Sequence, residues 1–191
     1  KEFLKSKSTL EQKLNNFPKY VRRQALARFL CKYHIFQRQM NVKGSIVECG
    51  VNLGGGIFSW SHFSTILEPY NYHRKIIGFD TFKGFPSINK KDGKNLHMKK
   101  KYFKRNYDVK NELMDLVKIF DKDRPIGHKK KIELVKGNAT KTIPQYLKKN
   151  KELLVSLLFL DFDIYAPTLT ALKYFLPRMS KGGIIAFDQV N

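Results

Sequence analysis

Cysteine is scarce in this chain: only Cys31 and Cys49 occur, one on an expected helix and one at an expected strand end. Their separation matches neither a zinc-ligand pattern nor a disulfide framework, so both read as free thiols. No run of about 18 uncharged apolar residues is present, so a membrane-spanning helix is not expected. The first residues are too polar for a secretory leader. A cytoplasmic location without a membrane partner is the corresponding expectation. Acidic residues are few, 16 against 37 lysines and arginines, which leaves a formal net charge of +21. Such a surplus suits phosphate-rich partners, because basic grooves gain affinity by releasing counterions. Here the lysines are spread over every segment, with short clusters at 99–101 and 129–131, and mark no groove. The histidines, His34, His62, His73, His97 and His128, lack ligand-like spacing, and the lone tryptophan, Trp60, reads as core.

What is present is enough chain for one well-filled domain: 191 residues, 42% hydrophobic and 13% aromatic. From Ser45 onward, apolar β-branched runs alternate with helical periodicity. SIVECG, KIIGFD, KIELVKG, LLVSLLFLD and GGIIAFD read as strands, with helices expected over 57–67, 109–120, 140–149 and 167–176. The alternation predicts an α/β, doubly wound, mostly parallel Rossmann-like sheet with helices on both faces and a site at the carboxyl ends of its strands. Pro167 at a helix start and Gly182 after a helix end fit the usual asymmetry. Residues 1–43 read as an N-terminal helical extension. There Ser8 and Glu11 form a capping-box pattern ahead of Leu10, Leu14 and Phe17. Val21, Ala25, Phe29, Tyr33, Phe36 and Met40 then make a stripe that must be covered by the rest of the fold or by a second copy in a homodimer. The connection 81–107 is long, lysine-rich and weakly periodic, the pattern of a lid.

The chemistry gathers at strand ends. FLDFDIY and IIAFDQVN each finish a buried run in aspartate. If those strands are neighbours, Asp161 and Asp188 come within about 5 Å, the spacing of paired strands. Two such carboxylates take up a cation or a proton, which points to a metal or acid/base site. The first strand runs through ECGVNLGGG into a helix, and its glycines at 50, 54, 55 and 56 permit close backbone approach to a nucleoside or amino acid. A dinucleotide GxGxxG is absent, since Asn52 and Leu53 interrupt it. The second strand ends in Asp80.

The ExGxxxGG spacing resembles the first motif of class I S-adenosylmethionine-dependent methyltransferases. The set ECGVNLGGG, FDTFKGFPS, KGNATKTIPQYL, LDFDIYAPTLTAL and MSKGGIIAFDQ, across residues 44–191, resembles the macrocin O-methyltransferase family, with DxDxYxPT the most specific part. The resemblance implies O-methylation of a hydroxyl on a sugar, glycoside or related small molecule. It also implies a cofactor, S-adenosyl-L-methionine, held by Glu48, Gly50, Gly54 and Gly55 at the methionine part, Asp80 at the ribose, and Gly137, Asn138 and Ala139 at the adenine edge. Asp161 would sit beside the methyl group, with Asp161 or Asp163 as the base. As in catechol O-methyltransferase, Mg²⁺ would be held by Asp161, Asp188 and Gln189. Gln189 departs from the pattern, which has Asp or Asn there; an amide oxygen ligates but supplies no charge. For Asp163 the competing role is to cap the following helix or to anchor the turn.

On this reading residues 44–191 form the cofactor-binding domain, residues 1–43 and the long connection cover the site, and further strands follow Asn191. The runner-up is a nucleic-acid methyltransferase acting on ribose or rRNA, favoured by charge but lacking base-modifying signatures. A DxD glycosyltransferase would leave the glycine loop and Asp80 without roles. A cofactor-binding protein without turnover is the non-enzymatic alternative, permitted by Gln189.

Overall fold

A computed structural model of the chain describes residues 2–92 and 103–188. The expectations attached to His97, to the lysines at 99–101, to the middle of the long connection and to Gln189 lie outside those residues. Five strands, β1 (Ser45–Cys49), β2 (Ile76–Asp80), β3 (Ile132–Lys136), β4 (Val155–Leu160) and β5 (Met179–Phe187), form one sheet in the order β3-β2-β1-β4-β5. Every neighbouring pair is parallel. The crossovers are α4 (Gly55–Leu67), α5 (Val109–Asp123), α6 (Ala139–Lys149) and α7 (Tyr165–Phe175), as the alternation predicts.

Successive strand residues face opposite sides of the sheet, and here both sides are covered. Ile46, Ile76, Leu157 and Phe159 join Phe36, Ile57, Trp60 and Leu113 in one core layer. Val47, Ile77, Leu158 and Leu160 join Ile143, Leu147, Ala171 and Phe175 in the other. Among the described residues no helix is long and apolar enough to cross a membrane.

The N-terminal segment is covered less than its stripe suggests. It comprises α1 (Glu2–Lys5), α2 (Leu10–Asn15) and α3 (Arg23–Gln39). In α3 Phe36 is fully buried and Tyr33 partly so, as is Met40 just after it, while Phe29 and, ahead of the helix, Val21 are both 39% exposed. No residue of α2 is buried. The capping box lies one residue later than expected. Thr9 Oγ1 accepts from the Gln12 N–H, and Gln12 Oε1 accepts from the Thr9 N–H. Thr9 and Gln12 satisfy the same pattern as Ser8 and Glu11, so the sequence left two overlapping registers.

Two other boundaries move. Helix α7 begins at Tyr165, which puts Pro167 inside its first turn, where a missing N–H costs nothing. Gly182 lies within β5 at φ +84° rather than after a helix, in a stretch where the β4–β5 register shifts.

Arg74, just ahead of β2, is buried to 3% exposure and clamps the amino ends of the strands. Its Nε donates to Glu68 Oε1 at 2.6 Å. Nη1 donates to Gln39 Oε1, the Gly44 carbonyl and Ser156 Oγ, and Nη2 to the Met40 and Val42 carbonyls. One guanidinium thereby fixes the end of α3 against β1, β4 and the segment after α4.

Candidate active site

The chain runs outward from β1 to β2 and β3, then returns to place β4 on the other side of β1. The loops leaving β1 and β4 therefore diverge and open a crevice at the carboxyl ends of the strands. A cavity of about 250 Å³ fills it.

Close backbone packing shapes its floor. Gly50 has φ +101°, and a Cβ there would overlap the Asp161 carbonyl oxygen. The Asp161 N–H in turn donates to the Cys49 carbonyl at 2.7 Å, so the ends of β1 and β4 are tied together. Asp80 organises the glycine loop from the next strand. Its Oδ2 accepts from the Val51 and Asn52 N–H groups, both at 2.8 Å, and its Oδ1 from the Phe82 N–H at 2.7 Å. Beyond β3, the Gly137 N–H donates to the Asp80 carbonyl, and Asn138 caps α6 by accepting from the Thr140 N–H. Gly50, Asn52, Asp80, Gly137, Asn138 and Ala139 all line the cavity. Phe82, Phe85, Phe103 and Phe162 supply apolar wall.

The acidic wall comes from β4 and β5. Leu160 and Phe187 are the last paired residues of the two strands, so Asp161 and Asp188 follow as register neighbours. Asp161, Asp163 and Asp188 all face the cavity. Burial, followed by the Asp188 and Asp163 carboxylates, pushes Asp161 up to about 7, with Lys32 and Arg28 pulling the other way. Burial and Asp188 also raise Asp163. Asp188 carries its own counter-charge: both its oxygens accept from Arg28 Nη2 at 2.8 Å. The capping role for Asp163 is not seen. Ile164 occupies the N-cap of α7, and the Tyr165 N–H donates instead to Asp92 Oδ1 at 2.6 Å. Asp92 belongs to the long connection, which thus docks on α7 beside the cavity, as does Lys91 through the Tyr165 hydroxyl.

Glu48 turns away from the cavity. It is 2% exposed and packs where a Cβ on Gly56 would stand, and its Oε2 has no hydrogen-bond partner. Burial pushes this carboxyl up to about 8; Lys32 opposes the shift and Asp161 adds to it. The folded state therefore holds the proton more tightly than the unfolded chain. The group's contribution to stability is whole below about pH 4 and is lost as pH rises through about 8. The melting temperature should accordingly fall between about pH 5 and about pH 9. Glu48→Gln, which keeps the shape and cannot ionise, should flatten part of that fall, Asp161 and Asp163 accounting for the rest. A variant profile parallel to that of the wild type would contradict this assignment.

A glycine loop, a carboxylate ending the second strand and acids ending the fourth and fifth thus meet in one cavity. The family model for macrocin-O-methyltransferase (TylF) matches residues 27–191. The chain belongs to this family. Among solved structures it is similar to the calicheamicin methyltransferase CalS11, with 31% identity and a TM-score of 0.92 over 96% of this chain and 72% of that one. The apo structure of CalS11, described as a TDP-rhamnose 3′-O-methyltransferase of calicheamicin biosynthesis, gives 27% identity and a TM-score of 0.83 over 98% and 73%. The O-methyltransferase NovP shares the fold, with 19% identity and a TM-score of 0.61 over 84% and 64%. No curated protein gave a significant match. The protein is an O-methyltransferase that uses S-adenosylmethionine, which removes the glycosyltransferase and non-enzymatic alternatives.

Within this methyltransferase, eight residues expected at the site line the cavity: Gly50, Asp80, Gly137, Asn138, Ala139, Asp161, Asp163 and Asp188. Three do not. Glu48 is sealed beneath α4, a Cβ on Gly54 would collide with Leu113, and a Cβ on Gly55 would point into open space. Gly56, grouped above with the glycines of the loop, makes room for Glu48. Arg28, Asn52 and Arg105 also line the cavity unforeseen. Asn52 had a signal, its place in the glycine loop; Arg28 sits on a surface-type helix and had none.

Proposed function

We propose that this enzyme methylates a hydroxyl of a sugar or a sugar-bearing small molecule, with Asp161 accepting the hydroxyl proton. The observation that carries the reading is the position of Asp161. It projects from the β4 end into the same cavity as Asp80 and the glycine loop, with its carboxyl held near neutrality. CalS11, a TDP-rhamnose 3′-O-methyltransferase, supports the acceptor class.

Asp80 suits a ribose. Its Oδ1 serves a single amide, and a carboxylate oxygen has lone pairs for a further donor. Gly137, Asn138 and Ala139 form the neighbouring wall for the base, and Gly50 with Asn52 the wall for the amino-acid end. S-Adenosylmethionine supplies an electrophilic methyl on a sulfonium. Held there, the cofactor would give its methyl to the acceptor oxygen and leave as the neutral thioether, and Asp161 would take the hydroxyl proton. Asp163 shares the wall as the alternative base. Alignment of hydroxyl and methyl by this rigid floor is the larger part of what the protein contributes. Residues 1–43 and the docked connection act as the cover that excludes water.

Mg²⁺ belongs to the same proposal. The donors are carboxylate oxygens, which suit a hard cation, and the Arg28 guanidinium already stands on Asp188 as a positive charge. Among the described residues no three acids, histidines or cysteines are grouped as a complete ligand set. The described residues therefore do not by themselves fit the ion, which Asp161 and Asp188 would hold only together with Gln189 and water. Such an ion would lower the pKa of the acceptor hydroxyl. The proposal retains a cytoplasmic location, and a second copy as one cover for the exposed stripe of α3.

The test is thermal. S-Adenosylhomocysteine at about 100 times its Kd should raise the melting temperature by roughly 5–10 °C. Asp80→Ala should lose the rise while keeping its circular dichroism spectrum. An equal rise in both proteins would overturn the placement of the cofactor.

A further inference from the structure

The first N–H groups of α7 have no partner within the helix, and Ile164 at its N-cap carries no side-chain acceptor. The nearest acceptor in sequence is Asp163, whose carboxylate lies within one Asx-turn of the Tyr165 N–H, two residues on. It does not make that turn. Asp163 stands in the left-handed region at φ +58° and faces the cavity, with no hydrogen bond or ion pair among the described residues. The amide goes instead to Asp92 Oδ1 at 2.6 Å, from a residue 73 positions away in sequence. Asp92 is itself held in place. Its Oδ2 accepts from the Asn89 N–H at 2.5 Å, and its own N–H donates to the Asn89 carbonyl at 3.0 Å. Its neighbour Lys91 lies over the Tyr165 ring, 4.4 Å from the centroid, and donates to the hydroxyl at 3.2 Å. One turn, Lys90–Asp92, thus takes both the amide and the side chain of the tyrosine in DxDxYxPT.

We propose that Asp92 is a surrogate cap for α7 that frees Asp163 for the active site. By holding the Tyr165 N–H it leaves the Asp163 carboxylate facing the cavity beside Asp161 and Asp188. The inference rests on the reading above that the acids after β4 act on the acceptor hydroxyl. Asp92 does not line the cavity, so it is a positioning residue whose effect on the reaction runs through Asp163. The two aspartates compete for one amide. A left-handed backbone is costly for a residue with a side chain, whereas a capping aspartate takes extended backbone. Without Asp92, the orphan amide and the strained aspartate two residues before it relieve each other locally, and the carboxylate turns from the wall.

The test compares the full chain as wild type, Asp92→Ala, Asp92→Asn, Asp163→Gly and the double variant Asp92→Ala/Asp163→Gly. Glycine suits φ +58° and removes the competing carboxylate without strain. In methyl transfer from labelled S-adenosylmethionine to a pool of sugar nucleotides and glycosides, Asp92→Ala should lower the rate at saturating cofactor roughly 10-fold, the scale of a misplaced group. Asp92→Asn keeps an acceptor oxygen and should restore most of the rate. Once Asp163 is glycine, Asp92→Ala should cost nothing further. Melting temperatures give a readout that needs no acceptor. Asp92→Ala should change little while Asp163 can take the amide, and should cost about 2–4 °C in the Asp163→Gly background, the loss of one cap. Equal rate losses in both backgrounds, with thermal shifts that add, would make Asp92 a plain anchor of the connection and overturn the proposal. Full activity of Asp163→Gly would overturn it too. A wild-type enzyme that labels nothing in the pool counts against the acceptor reading alone, and the thermal comparison then decides the cap.

Discussion

Arg74→Met should lower the free energy of unfolding by about 3–5 kcal/mol, the cost of removing one partner from a buried ion pair. A domain holds only about 5–15 kcal/mol in total, so the loss is a large share of its stability and the melting temperature should fall markedly. The cost has two sources. Glu68 keeps a mostly buried carboxylate without its 2.6 Å partner. Gln39 Oε1, the Gly44, Met40 and Val42 carbonyls and Ser156 Oγ lose their common donor where water cannot replace it. Arg74→Lys should recover little, since one ammonium with three donors cannot span contacts made by Nε, Nη1 and Nη2. Adding Glu68→Gln to Arg74→Met should restore part of the loss by removing the orphaned charge. Urea midpoints read all three variants; a loss below about 1 kcal/mol for Arg74→Met, typical of an exposed pair, would contradict the clamp.

Asp161→Asn should reduce methyl transfer by about 10²–10⁴-fold, the usual contribution of a positioned base. The amide is close to isosteric but cannot take the acceptor's proton, so the thermal shift with S-adenosylhomocysteine should persist. In the wild type the rate should rise with pH through a limb near 7, as Asp161 ionises. The variant's residual rate should lack that limb. Retention of both rate and limb would move the base elsewhere, Asp163 being next on the same wall.

Most of the scaffold was legible because its signals are local. Five apolar runs set five strands, and the residue after each of the last two, Asp161 and Asp188, could be placed at the site by counting from the run's end. The wall contributed by Asp80 followed for the same reason, whereas Gly137 and Asn138 were implied only by the resemblance of their motif to the family's. What escaped was set by pairs remote in sequence. Arg28 and Asp188 are 160 residues apart and Arg74 and Ser156 are 82 apart, and no periodicity links either pair. Asp92, inside the connection read as a lid, takes the amide expected for Asp163, and only the fold brings them together. Glu48 shows the converse case, a motif residue that does not line the cavity. Its motif position implies a cofactor ligand, but the turn at Gly54, φ +85°, lays α4 across it and leaves its carboxyl facing Gly56. The unburied Leu10 and Leu14 likewise obey helical spacing without a core to meet.

The most direct measurement is transfer of a labelled methyl group from S-adenosylmethionine, with equal amounts of enzyme offered a pool of sugar nucleotides and glycosides or an RNA pool, and with Asp161→Asn as the blank. Label in a sugar hydroxyl with wild-type enzyme, none in RNA, and a blank at least about 10²-fold lower is the predicted result. Efficient labelling of RNA with none in the sugar pool would contradict it, and would turn the +21 charge from a matter of composition into the recognition of phosphate.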